Sequence, residues 1–142
     1  MLTGTCLCRT VRFELHGKLG PLAYCHCSMC QRASGSAFGA NAAVRSRYLT
    51  WLAGREAITE YESSPGKFRA FCSKCGSPLY SRRAAEPDEF RIRLGSLDGD
   101  PERRALAHFW VSAKAAWFDI ADGLPQYPED TATNALDPNP KP

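Results

Sequence analysis

The sequence predicts a mainly β domain, on three observations. Short runs alternate apolar and polar residues, as half-buried strands do; turn residues separate those runs; and no stretch sustains a 3.6-residue apolar stripe. The alternating runs, in order, are Val11–Leu15 ("VRFEL"), Ile58–Glu62 ("ITEYE"), Lys67–Phe71 ("KFRAF"), Pro78–Arg82 ("PLYSR") and Phe90–Leu94 ("FRIRL"). Gly17, Gly20–Pro21, Gly54, Pro65–Gly66, Gly76, Pro87 and Gly99–Asp100–Pro101 punctuate them. Helix is expected only in a short turn after Cys30 and in the charged segment Pro101–Ala107. The domain is expected to span residues 1–127. The segment 128–142, rich in Pro and polar residues, reads as a disordered tail.

The chain has 142 residues, enough for one domain with a modest core. A formal charge of +3 suits anionic small molecules and is too weak to argue for nucleic acid. Arg and Lys are dispersed among Asp and Glu, without the basic stripe of a nucleic-acid surface. No apolar run suggests a signal peptide or a membrane span, so the expected compartment is the cytosol, where clustered thiols more often mean metal than disulfides. The cysteine count of seven also defeats complete disulfide pairing.

Those cysteines fall into three groups. Cys72 and Cys75, in "FCSKCG", form a C-x-x-C followed by glycine between two strand-like runs, the pattern of a zinc knuckle. Cys6 and Cys8, in "TCLCR", are spaced to point to one face of an extended strand. Alone that pair is equally well two core thiols; with Cys72 and Cys75 it completes a closed four-thiolate site. Cys25, Cys27 and Cys30, in "YCHCSMC", then remain as a set of three. An extended "YCHC" sends His26 to the opposite side, into a hydrogen-bonding role rather than ligation. His108 reads as a satisfied core or rim residue and His16 as a surface one. Three ligands and no evident fourth leave an open coordination position, which in zinc proteins is where chemistry occurs.

In order along the chain, "GTCLCRTVRFE", "YCHCSMCQRASGSAF", "FCSKCGSPLY" and "HFWVSAKAAWFDIADGLPQY" resemble the glutathione-dependent formaldehyde-activating enzyme family, which includes the centromere protein V-like domain. The resemblance covers nearly all of Thr3 to Tyr127. It implies a β-tent fold of antiparallel sheets with zinc-stapled strands and few helices. It also implies one closed zinc at Cys6, Cys8, Cys72 and Cys75, and a second at Cys25, Cys27 and Cys30 facing a substrate pocket. Two departures stand out: Arg9 replaces a glycine usual after the first cysteine pair, and Gln31–Arg32 replaces a common Arg-Lys.

Three thiolates on a divalent zinc leave a net negative site, poor at ionising water and better suited to an incoming thiol. The implied reaction is of carbon–sulfur lyase type, with formation and cleavage of S-hydroxymethylglutathione as the family pattern and Cys25, Cys27 and Cys30 at the catalytic metal. Glutathione would be the substrate, or a related small thiol, and its carboxylates would need cations and hydrogen-bond donors. Arg32, Ser34 and Gly35 are the nearest candidates, and Lys67 and Arg69 more remote ones. Trp110, Trp117, Phe109 and Phe118 read as core and pocket wall, and Lys114 as a snorkelling surface residue. Partners beyond the thiol are not called for: no nucleic acid and no membrane, with self-association left open. The competing readings are a zinc-stapled binding module without catalysis and, more weakly, a thiol redox protein.

Overall fold

The computed structural model describes residues 1–130, and its architecture is mainly β as expected. Strands β1 (Leu2–Thr5), β2 (Arg12–Leu15) and β5 (Leu49–Ala53) form a small antiparallel sheet in the order β1-β2-β5. A larger sheet contains β3 (Leu22–Cys25), β4 (Gly39–Arg45), β6 (Ile58–Ser64), β7 (Lys67–Cys72), β8 (Pro78–Arg83), β9 (Glu89–Arg93) and β10 (His108–Phe109). Its order is β10-β3-β4-β9-β8-β7-β6, antiparallel throughout except for the pair β10–β3.

The period-2 geometry of strands explains how one sheet carries two unlike faces. Ala42, Ile92, Tyr80 and Ala70 lie in one cross-strand row, and all are buried. They pack with Phe13, Leu15, Leu22, Val44 and Leu79 into a single core between the sheets. Trp51 of the small sheet bridges that core, edge-on to Phe13 at 5.6 Å and 5.7 Å from Tyr80 of the large one. Gly4 is required here, because a Cβ at that position would stand 2.2 Å from the Phe13 ring. One residue out of phase, the row Arg69, Ser81, Arg91 and Ala43 looks the other way.

Helix α1 (Ser28–Ser34) begins before Cys30, not after it as expected. The Sγ of Cys27 accepts from the Cys30 N–H and caps the first turn, while Gly35, at φ 67°, ends the last. The expected helix at Pro101–Ala107 is absent. Asp100 draws the chain into a turn by accepting from the Glu102 N–H and pairing with Arg104, and the segment then runs beside β3 through Leu106 N–H to Leu22 O and Tyr24 N–H to Ala107 O. Part of the expected tail is bonded to the domain: Ser112 donates through N–H and Oγ to Pro128 O, and Trp110 N–H to Glu129 O. The rest of it, residues 131–142, lies outside the described residues.

Candidate functional site

Cys6 and Cys8 do not lie on an extended strand, as their spacing had suggested. β1 ends at Thr5, and Cys6–Arg9 forms a turn closed by Arg9 N–H to Cys6 O at 2.9 Å. Cys72–Gly76 makes a matching turn, Gly76 N–H to Cys72 O at 2.7 Å. Each ends in a left-handed residue, Gly76 at φ 76° and Arg9 at φ 62°, the position where glycine was noted as usual. The two turns face one another and bring the four sulfurs within 4.8 Å of each other. Cys6 Sγ is 3.6 Å from Cys8 Sγ, and Cys8 Sγ 3.9 Å from Cys72 Sγ. A tetrahedral zinc with Zn–S bonds of about 2.3 Å separates its sulfurs by about 3.8 Å, so this set fits one ion.

The sulfurs of Cys25, Cys27 and Cys30 converge likewise. Cys25 ends β3, Cys27 caps α1, and Cys30 lies one turn into that helix. Among the described residues no fourth His, Cys, Asp or Glu joins them. These groups of cysteines can hold metal ions, one with four protein ligands and one with three. Arg69 reaches the second group, with Nη1 3.7 Å from Cys30 Sγ. The Cys30 thiol is held below its ordinary range by hydrogen bonds from Cys25 and Cys27 and then by the Arg69 charge.

His26 turns away from the sulfurs and is fully buried. Its Nε2 lies 2.7 Å from Nδ1 of His108, itself buried, and His108 Nε2 lies 2.9 Å from Asp122. A carboxylate only accepts, so His108 donates from Nε2; in its neutral tautomer its Nδ1 then accepts from His26 Nε2–H. His26 Nδ1 is left as a buried lone pair with no partner among the described residues. Burial, and then the neighbouring His108 and Lys114, lower the His26 pKa, keeping the ring neutral. The His26 carbonyl accepts from Gln31 Nε2, tying the cysteine-bearing turn to the helix. Asp122 was not foreseen from sequence. His16 is a surface residue beside Glu14, and Lys114 turns inward to donate to Ala115 O and Phe118 O.

A cavity of about 640 Å³ opens onto Cys25, Cys27 and Cys30. Phe109 and Trp110 line one side, and Lys67, Arg69, Arg83, Arg91 and Arg93 line the other. The cations sit at alternate positions of β7, β8 and β9, on the sheet face opposite the core. Arg93 is buried and donates to Asn41 Oδ1, its cross-strand neighbour. Burial presses the Lys67 ammonium down to about 8, and the nearby Arg83, Arg91, Arg69 and Arg93 act in the same sense. Lys67 and Arg69, named from sequence, are therefore part of the wall. Arg32, Ser34 and Gly35 are exposed on and just after α1 and are not among its lining residues. Arg83, Arg91 and Arg93 were missed, although the polar phases of "PLYSRR" and "FRIR" already held them.

Among the described residues no helix is long and apolar enough to cross a membrane. Comparison with curated proteins gave no match. A crystal structure of a Rhodobacter sphaeroides protein, a structural genomics target, is similar at 27% identity and a TM-score of 0.59, over 69% of this chain and 89% of that one. The sequence profile described as "Glutathione-dependent formaldehyde-activating enzyme" matches residues 1–113, a span holding all seven cysteines, His108 and the five cavity cations. With both cysteine sets assembled and four fifths of its length matched, the chain belongs to the glutathione-dependent formaldehyde-activating enzyme family.

Proposed function

We propose that this protein joins a thiol, glutathione or a close relative, to a small aldehyde such as formaldehyde, and cleaves the same adduct, as a carbon–sulfur lyase with two zinc ions. One observation carries the reading: three cysteines, with no fourth ligand among the described residues, open onto a cavity whose wall bears five cations. Cys6, Cys8, Cys72 and Cys75 would hold a structural ion, and Cys25, Cys27 and Cys30 one with a position left for the ligand. When bound there, zinc supplies the positive charge that keeps an incoming thiol ionised at neutral pH.

The protein's own residues do the rest. Lys67, Arg69, Arg83, Arg91 and Arg93 take the ligand's carboxylates, fixing the sulfur at the cysteine end. Phe109 and Trp110 exclude water along one side. His26, held by His108 and Asp122, keeps the Cys25–Cys27 segment in place. The bond made is carbon–sulfur, from the thiolate to the carbonyl carbon, and the carbonyl oxygen takes up a proton; the reverse step returns both. The free thiols this chemistry uses suit a reducing cytosol.

Metal analysis with ligand titration tests the proposal. Two zinc ions per chain are expected, and glutathione should bind more tightly than S-methylglutathione, with release of a proton, because only the free thiol gains a metal–sulfur bond. In cobalt-substituted protein the visible spectrum should change with glutathione and stay fixed with the methylated form. Equal affinities and an unmoved spectrum would leave the non-catalytic binding module as the better account.

A further inference from the structure

Sheets rarely place like charges across from one another, because such pairs destabilise the ladder. This one does. Lys67 on β7 lies directly opposite Arg83 on β8, and Arg69 and Arg91 flank the small Ser81 in the next row. Among the described residues Lys67 has no carboxylate partner, and Arg69 bonds only Ser63 Oγ and Cys30 Sγ. The acids nearby are few and already engaged. Glu89 lies 3.0 Å from Arg91 and 4.0 Å from Arg45. Asp130, among the described residues the one acid lining the cavity, is 3.8 Å from Arg83, and both are more than half exposed.

We propose that this cavity selects thiols that carry two or more acidic groups and no free ammonium group, so that an amine-blocked or amine-free acidic thiol is preferred over glutathione itself. The inference rests on the thiol reading above and narrows its substrate class. Carboxylates of the ligand relieve the repulsion between Lys67, Arg83, Arg69 and Arg91. Among the described residues a ligand ammonium has no unpaired lining acid to meet, and it enters a positive field. Lys67 is itself an ammonium in this cavity: burial first, and then the four arginines in the same sense, lower its pKa to about 8.

The experiment compares three ligands by calorimetry on the metal-loaded full chain. N-acetylglutathione removes only the ammonium charge, and the glycyl ethyl ester of glutathione removes only one carboxylate; glutathione is the reference. The expected order is N-acetylglutathione tightest, by about fivefold or more, and the ester weakest by at least a similar factor. Lys67→Gln and Arg83→Gln, checked for folding by thermal melting, should each compress that order. Glutathione binding as tightly as its acetylated form, or more tightly, would overturn the proposal, as would failure of the acetylated form to bind. S-methylated versions of the same ligands separate this from the broader reading. If they keep the charge order but lose nothing in affinity, the sulfur assignment fails and the charge selection stands. If methylation weakens all of them while the order inverts, the reverse holds.

Discussion

The two cysteine sites are built from the same side chain and have opposite effects on the fold. The four-sulfur site joins two turns 64 residues apart, next to the core, with Cys6 and Cys72 buried. The three-sulfur site sits at the end of a face crowded with guanidinium groups, beside a histidine nitrogen that has no partner among the described residues. The first region lies against the core; the second keeps like charges facing one another across strands. Binding sites commonly carry such local conflicts, and the core compensates for them.

Removing one ligand from each site gives the sharpest contrast. Cys72→Ala should cost most of the folding free energy, since structural zinc contributes on the order of 10 kcal/mol in zinc-finger peptides. On the proposed two-zinc reading, Cys27→Ala should leave a folded chain with one metal instead of two. Thermal melting and metal content check both, and equal losses of soluble protein would end the distinction.

The next effect concerns the support of the open site. His108→Ala leaves His26 Nε2 buried without its partner, which costs about 1–3 kcal/mol. It should also weaken metal retention at Cys25, Cys27 and Cys30 by about 10–100-fold while the four-cysteine site keeps its ion. Stepwise chelation followed by metal analysis reads the two separately. An even loss from both sites would mean that the histidine pair supports the whole fold and not this site.

A smaller effect, opposite in sign, is expected at Lys67. Its folded pKa of about 8 lies below the ordinary 10.5, so the unfolded chain holds that proton more firmly. The penalty is complete below about pH 8 and fades as pH rises toward 10.5. Lys67→Gln should therefore raise stability at pH 7 by on the order of 1–2 kcal/mol, with the gain vanishing at the alkaline end. A gain independent of pH would place its origin elsewhere.

The smallest effect belongs to the closed site. Arg9 at φ 62° bears a left-handed strain of about 1–2 kcal/mol, partly offset because glycine gives the unfolded chain more freedom. Arg9→Gly should gain about 0.5–1 kcal/mol in denaturant melts and Gly76→Ala should lose about 1 kcal/mol. A loss at Arg9 would mean that its side chain matters more than its backbone.

Much of this was legible in the sequence, for physical reasons. β2, β6, β7, β8 and β9 alternate clearly because one face meets the core and the other meets cavity or solvent. β4, "GANAAVR", gave no such signal: small residues let the neighbouring chain and Cys30 approach, and they hide the period. β1 and β3 are four residues each, and β10 only two, too short for a pattern. The cysteine sets were readable because metal geometry restricts spacing so strongly. Cation placement was not, because Lys67 meets Arg83 only through strand register. The partnership of His26 with His108, 82 residues away, depends on a parallel pairing that no local pattern announces.

That parallel pairing sets an order of events during synthesis. All four cysteines of the closed site have left the ribosome once residue 75 has emerged, whereas Asp122 follows 47 residues later. At about 5–20 residues per second the interval is roughly 2–9 s. Until residue 109 has emerged, Cys25, Cys27 and Cys30 exist without β10 and without the partner of His26, and until residue 122 His108 exists without its carboxylate. The nascent chain thus carries its three clustered thiols, and then the cations of β7–β9, before it has built the Phe109–Trp110 side of the cavity onto which those thiols open.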